Sequence, residues 1–365
     1  MKASINQTEL AGALGVVSRG VAKNSTLPVL VGVHIIADQD TVTLQSTNLE
    51  LSIRYSLPAL VEEPGEAVLP GKLFTDIVKS LPDAAVHLSV EDMTALVTCE
   101  NASFSVKGLD PYDFPAFPSV DTDASARIPF EVFARMAKQV CPAASRDESR
   151  AILTGVLISL EGGLLRLVAT DSYRLALAEQ ELSGSSGNFS AVVPSSFILD
   201  VSSMDKTGED VVLALSEQQI VVSYQGTVFV NRRIEGRYPH YQQLIPASWK
   251  TRATIDVQSL ASALKRTALL GQSGSSVRFS IDVDSQTVQL SAISQDIGSA
   301  QEVVPARIEG QSVEIAFNSN YVVSGLSSVS GGEVDFEVQS SLKPGIFKDA
   351  AREHFLYLVM PVRLA

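Results

Sequence analysis

Six amphipathic segments, starting near Gln7, Lys72, Pro129, Ser195, Val257 and Ser319, recur about every sixty residues along the chain. A recurrence at that period means that one supersecondary unit is reused, which constrains the fold more than any single motif does. Closer echoes stand at twice the spacing. Val68-Leu69-Pro70 heads the second segment and Val192-Val193-Pro194 the fourth. Gly108-Leu109-Asp110-Pro111-Tyr112-Asp113-Phe114-Pro115 is echoed by Glu235-Gly236-Arg237-Tyr238-Pro239-His240-Tyr241, and Thr47-Asn48 by Thr170-Asp171. The chain therefore reads as three domains of roughly 120 residues, each built from two smaller units. Its 365 residues are too many for one typical core, which agrees.

Spacing and capping residues predict a short helix in each unit. Asn6 can cap a helix whose Leu10, Leu14 and Val17 share one face, with Glu9 reaching back. Leu73, Phe74, Ile77 and Val78 form the second apolar stripe, and Pro82 stops it. Pro129 suits the first turn of a helix carrying Val132, Phe133, Met136 and Val140. Ser195 can cap a helix with Phe197, Ile198 and Val201, Asp256 one with Val257, Leu260 and Leu264, and Asn318 one with Tyr321, Val322 and Leu326. Between them the period falls to two, as in Thr41-Val42-Thr43-Leu44, Phe104-Ser105-Val106 and Val334-Asp335-Phe336-Glu337-Val338. Turn clusters such as Glu161-Gly162-Gly163 and Gly184-Ser185-Ser186-Gly187 separate these strands. Several strands per helix, joined by short connections, predict an α+β fold of antiparallel sheets with helices on one face. Polar linkers at 119–126 and 246–253 divide it into domains at 1–122, 123–250 and 251–365.

No apolar run reaches the eighteen or so residues that span a bilayer, and the N-terminus runs straight into a helix signal, so a cytoplasmic protein is expected. Cys99 and Cys141 are expected to be two reduced, semi-buried thiols. The net charge of −13 argues against a general affinity for nucleic acid. Its distribution is uneven. The six helical segments carry Arg19, Lys72, Lys79, Arg135, Lys138, Lys206, Lys265 and Arg266 against Glu9, Asp76, Glu131, Asp200, Asp205 and Asp256, leaving the excess acidity to strands and loops.

Catalytic chemistry is hard to find. His34, His87, His240 and His354 have no ligand spacing, and no phosphate loop or serine elbow occurs, so no metal and no cofactor are expected. Asp282 with Asp284, and Asp121 with Asp123, read as solvated acids rather than acid–base pairs. Tyr224, Phe229 and Tyr238 near Arg232, Arg233 and Arg237 read as strand packing rather than a base-stacking patch. Two features ask for more. Thr170-Asp171-Ser172-Tyr173-Arg174-Leu175 joins polar residues to an amphipathic pair. The C-terminal run from Leu356 through Met360 to Ala365 is apolar where chain ends are usually polar, so it completes a sheet, forms part of a binding surface, or does both.

On four motifs the chain resembles the bacterial replication sliding clamps, the beta subunits of DNA polymerase III, along its full length. They are Thr26-Leu27-Pro28-Val29-Leu30, Ala169-Thr170-Asp171 followed by Tyr173-Arg174-Leu175, Glu235-Gly236-Arg237-Tyr238-Pro239 and Val359-Met360-Pro361-Val362-Arg363-Leu364. The resemblance implies three repeated DNA-clamp domains in a head-to-tail homodimer, helices lining a ring and sheets outside. It implies a non-enzymatic processivity factor that encircles double-stranded DNA without sequence preference and is nucleoid-associated. Partners would be the polymerase III alpha subunit, the clamp loader, and other polymerases and repair factors bearing short linear motifs.

Carried over by position, a partner-peptide pocket would be lined by Leu153, Thr170, Ser172, Tyr173, Arg174, Leu175, Pro239, Leu244, Asn318, Tyr321, Leu358, Met360, Pro361 and Arg363. Replacing Met360 and Leu175 with alanine should then weaken partner peptides without unfolding the protein. Lys72, Lys79, Arg135, Lys138, Lys265 and Arg266 would face DNA, with Lys23 and Arg150 standing in where Asn24 and Asp147 depart from the family. Phe104 and Val106 on an edge strand would meet Leu269 and Leu270 at a helix end of a second copy. Ser172-Tyr173 stands where the family often has Gly-His, and Gln243 where it has a basic residue, so the pocket rim is altered while its apolar floor is kept. Asn101 and Ser103 replace basic side chains of some members, leaving fewer ion pairs for the dimer. Two other readings compete: a β-rich repeat adaptor that binds proteins without encircling DNA, and an enzyme using Asp282 and Asp284.

Overall fold

The computed structural model describes residues 1–119, 124–182, 188–205, 208–270, 276–294, 298–350 and 352–363. The domain division at 122/123, Asp121 and Asp123, the 184–187 turn cluster, Lys206, and Leu364 and Ala365 lie outside the described residues. Two compact units emerge, Met1–Glu131 with Ser203–Arg233, and Val132–Ser202 with Ile234–Ala365. The expected central domain thus contributes to both. The reason is strand pairing: Thr227–Arg232 joins Leu51–Pro58, and Arg174–Glu181 joins Arg352–Val359, in continuous antiparallel ladders.

In the first unit, five strands run in the order Leu60–Glu63, Lys2–Asn6, Ala85–Glu91, Thr94–Cys99, Ala102–Lys107. Eight more run from Ala124–Pro129 through the 210–232 meander to Leu51–Pro58, ending at Gly65–Pro70. The helices Gln7–Val17 and Gly71–Ser80 pack together, and Asn6 Oδ1 accepts from the Glu9 amide at 3.1 Å as expected. Leu10, Leu14, Val17, Phe74 and Val78 are buried, each contributing about 1.5–3 kcal/mol. Leu73 differs from expectation: at 51% exposed it lies outside the stripe, because Phe74, Ile77 and Val78 already fill the inward face. Pro129 ends a strand rather than opening a helix, and the helix begins at Phe130. The linker expected at 119–126 is strand from Ala124 onward, paired with Leu215 and its neighbours.

The second unit holds a nine-stranded sheet, ordered Phe189–Pro194, Gly155–Glu161, Leu164–Thr170, Arg174–Glu181, Arg352–Val359, Gly345–Asp349, Glu333–Val338, Thr251–Asp256, Arg307–Gly310. A four-stranded sheet runs Gly298–Pro305, Thr287–Ser294, Ser276–Asp282, Val313–Asn318. Phe279 and Phe317 of this sheet interlock with Phe336 and Phe347 of the nine-stranded one, and Phe336 and Phe347 stack at 4.5 Å. Asp256 and Asn318 cap the helices Val257–Ala268 and Ser319–Leu326 through the Ser259 and Asn320 amides. The second expected linker is likewise strand from Thr251. Cys99 and Cys141 are free and buried, and burial pushes the Cys141 thiol up to about 12. No helix among the described residues is long and apolar enough to cross a membrane.

Candidate functional site

The Thr170–Leu175 segment folds as a turn locked by its own polar side chains. Asp171 Oδ1 accepts from the Tyr173 and Arg174 amides at 2.9 and 3.0 Å. Thr170 Oγ1 donates to the Arg174 carbonyl at 2.7 Å and accepts from the Ser172 amide at 3.1 Å. The turn forces Ser172 to φ 79°, the left-handed region that a glycine takes without strain. Arg174 is the hub. Its Nε meets Asp171 Oδ2 at 3.0 Å, and its Nη1 donates to Ser324 Oγ at 3.0 Å and the Tyr357 hydroxyl at 3.3 Å. Burial opposes its charge, but Tyr357 and Asp171 outweigh burial and hold its pKa above the ordinary value. The guanidinium also sits 4.9 Å from the Tyr321 ring centre, and that ring stacks with Tyr173 at 6.2 Å.

The C-terminal run completes a sheet. Arg352–Val359 is an interior strand of the nine-stranded sheet, pairing Leu358 with Leu175. Beyond it Met360 N–H donates to the Tyr173 carbonyl and Val362 N–H to the Ala316 carbonyl, both at 2.8 Å. This pins Met360 and Pro361 beside the turn. Leu175 and Leu358 are buried with Val168 and Tyr241, backed by Tyr238 and Ile245, and the Tyr238 hydroxyl donates to the Val168 carbonyl at 3.1 Å. Leu153 is buried on a one-turn helix, Ala151–Thr154, that the sequence pattern did not reveal. The exposed rim is Ser172, Tyr173, Pro239, Leu244, Met360 and Arg363, with Tyr321, Pro361 and Asn318 half-buried. All fourteen expected pocket positions thus fall in one compact unit, as a buried apolar floor under an aromatic, methionine-bearing rim. Tyr238, Tyr241 and Ile245, which complete the floor, were missed because their apolar character points as easily to linker packing.

Other expected groups sort differently. Lys23, Lys72, Lys79, Lys138 and Lys265 are exposed. Arg150 contacts Asp147 Oδ2 at 3.2 Å and Ser172 Oγ at 3.3 Å. Arg266 is held by Glu302 at 2.6 and 3.0 Å, and Arg135 donates to Gln180 at 2.8 Å. Phe104 is half-buried on the edge strand Ala102–Lys107, Val106 is buried, and Leu269 is 79% exposed with Leu270 half-buried beside it. Asp282 accepts from the Asp284 amide and the Ser285 hydroxyl, which hold its pKa below the ordinary value. That is a turn cap, opposite in direction to a general acid. Tyr224 stacks on Phe130 at 4.1 Å and Phe229 is buried, so those aromatics are packing.

Repeated sheet-and-helix domains sharing ladders, with no acid–base pair at Asp282 and Asp284, define a three-domain clamp fold. The N-terminal, central and C-terminal domain families of the DNA polymerase III beta subunit match residues 1–118, 127–240 and 242–363. The beta sliding clamp of Synechococcus elongatus is 33% identical with full coverage of both chains, and that of Staphylococcus aureus is 31% identical over 94% of each. The DNA polymerase sliding clamp of Bacillus subtilis superposes with a TM-score of 0.95 at 28% identity, covering 100% of both chains. A Pseudomonas aeruginosa sliding clamp bound to griselimycin gives 0.95 at 26% identity, also over 100% of both. The chain belongs to the DNA polymerase III beta subunit family, the bacterial sliding clamps, which are processivity factors and not enzymes.

Proposed function

We propose that this chain works as a cytoplasmic, nucleoid-associated DNA sliding clamp, two copies closing head to tail around duplex DNA and tethering the replicative polymerase. The full-length family match carries this reading. Encirclement retains the protein topologically, so attraction to phosphates can stay weak and sequence-independent, leaving the ring free to slide. The five exposed helix-side and loop lysines, on a chain of net charge −13, suit such weak contact. The domain divisions at 1–122, 123–250 and 251–365 belong to the same reading.

The groove would take short linear motifs from the polymerase alpha subunit, the clamp loader and repair factors. A buried apolar floor with a flexible methionine and a few fixed polar anchors accepts varied sequences. Phe104 and the Ala102–Lys107 edge would meet the Leu269-Leu270 helix end of a second copy. Sedimentation velocity at micromolar concentration, paired with retention on nicked circular plasmid after loading, tests the whole reading. A dimer that stays on circles and is lost on linearisation is expected. A monomer that binds partner peptides but is never retained would establish the adaptor reading instead.

A further inference from the structure

The sheet face under the proposed groove of the second unit has a counterpart in the first, built from different side chains. In the second unit Val192, Leu157, Val168, Leu177 and Leu356 form one row of directly paired residues, all apolar. The matching strands of the first unit put Val68, His34, Gln45, Arg54 and Val228 in the same row. Directly opposed residues in antiparallel ladders share a face, so these five stand together, turned away from Leu44 and Ile53. The turn beside the row is repeated as well. Asn48 Oδ1 accepts from the Glu50 and Leu51 amides at 3.0 and 2.7 Å. Thr47 Oγ1 accepts from the Leu49 amide at 3.0 Å, and Leu49 holds φ 73°. The Arg232 amide donates to the Glu50 carbonyl at 3.2 Å, as that of Met360 does to the Tyr173 carbonyl. The frame is reused while its floor turns polar.

That polar row is left unsatisfied. Among the described residues the half-buried Arg54 makes no hydrogen bond and no ion pair, and its Nε is fully enclosed. Burial holds its pKa below the ordinary value, and no carboxylate opposes this. Gln45, 6% exposed, finds no side-chain hydrogen-bond partner among the described residues. His34, 8% exposed, meets Glu66 through Nε2 at 2.9 Å, while its enclosed Nδ1 has no partner. A carboxylate on Nε2 requires the proton there, which leaves Nδ1 a lone pair. Groups so placed cost stability unless something pairs with them. Their cover is slight. The segment from Pro111 to Ser119 straps the row, with the Phe114 ring 4.8 Å from that of His34 and the Phe117 ring 3.9 Å from the Arg54 guanidinium. Among the described residues no backbone hydrogen bond ties this strap to the sheet, so side-chain contact holds it down.

We infer that the first unit holds a second ligand site, in which the strap lifts and Arg54 with Gln45 takes the carboxylate of an Asp or Glu side chain from a partner segment. One uncompensated positive charge calls for one negative charge. A guanidinium edge and a neighbouring amide are planar donors that match the two oxygens of a carboxylate. A chain of net charge −13 repels the dense charge of a nucleic-acid backbone, whereas a single acidic side chain meets Arg54 alone. Leu49, 52% exposed on the turn, offers apolar contact to the rest of such a segment. The site needs nothing from the groove of the second unit, so it stands or falls apart from that reading.

The test uses the full-length protein and its arginine Nε–H correlation spectrum, in which the signal absent from Arg54→Lys belongs to Arg54. The probes are blocked alanine–aspartate–alanine, its asparagine analogue and dimethyl phosphate, at matched ionic strength. The aspartate probe should shift that signal saturably, with a dissociation constant on the order of millimolar, and the asparagine probe should not. Gln45→Val should weaken the aspartate probe about threefold or more, and Phe117→Ala, which thins the cover, should tighten it about threefold. Arg54→Leu, which restores the apolar residue of the matching row, should raise the denaturant midpoint, because it removes a charge without a partner. An Arg54 signal that neither peptide moves, or that both move alike, would overturn the inference. A midpoint lowered by Arg54→Leu would make Arg54 a packing residue under Phe117 and overturn it too. Dimethyl phosphate binding as tightly as the aspartate probe would assign the site to a nucleic-acid backbone and remove the acidic segment from it.

Discussion

Ser172 holds φ 79° because Asp171 and Thr170 close the turn on either side of it. An L-residue in that region costs about 1 kcal/mol that a glycine does not. Ser172→Gly should therefore raise the denaturant midpoint slightly despite losing its contact with Arg150, while Ser172→Val should lower it. Leu175 makes a sharper case. Its position in the amphipathic Arg174-Leu175 pair marks it as a groove residue, and the fold buries it completely. Leu175→Ala should cost about 2–5 kcal/mol through the cavity it leaves, so it is not the harmless probe the sequence suggests. Met360 and Leu244 are 37% and 43% exposed, and the double alanine variant should keep the wild-type midpoint while weakening peptide binding about tenfold. Unchanged affinity would displace the groove from this surface. The polar turn was legible because its side chains act on neighbours two to four residues away. Arg174 bonding Ser324 and Tyr357 was not, because those partners stand 150 and 183 residues on.

Helices were the most legible elements, since their caps are local. Asn6, Asp256 and Asn318 each cap the expected helix by accepting a first-turn amide, whereas Ser195 is the first residue of its helix rather than the cap before it. Strand boundaries were less legible. Ala124–Pro129 and Thr251–Asp256 begin inside stretches that look like linkers, because what makes them strands is pairing with 210–215 and with 307–310 and 333–338. The pairing of Glu337 with Arg252 and Lys348 was invisible for the same reason: it exists only once three distant strands adopt their register. A cap of this kind also predicts a pH response. The Ser259 hydroxyl and amide hold the Asp256 carboxyl below its ordinary 3.8. A depressed folded pKa means its stabilisation is present above that ordinary value and is lost as pH falls through the folded one. Unfolding followed from pH 6 downward should show a smaller acid-induced loss in Asp256→Asn than in wild type. Identical acid profiles would remove Asp256 from the account.

For the whole molecule, the groove and the proposed closure of a ring make separable demands. Every residue of the proposed groove lies within the Val132–Ser202 and Ile234–Ala365 unit of one chain, so on that reading a single copy holds the whole partner site. Encirclement instead needs two copies, because one chain supplies three of the six domains that the ring reading requires. Leu269 isolates the second demand. At 79% exposed it contributes little to folding, yet it sits at the helix end assigned to the second copy. A carboxylate there would have to be desolvated against the Phe104 ring of the second copy, a cost that a modest interface does not offset. Leu269→Glu should therefore sediment as a monomer at micromolar concentration, unfold at the wild-type midpoint, and bind partner-motif peptide within about twofold of wild type. It should also fail to stay on circular plasmid after loading, since retention depends on topology rather than on phosphate contacts. A variant that remains dimeric would move the interface away from Leu269. One that turns monomeric yet stays on circles would mean that direct attraction, not encirclement, holds this protein to DNA.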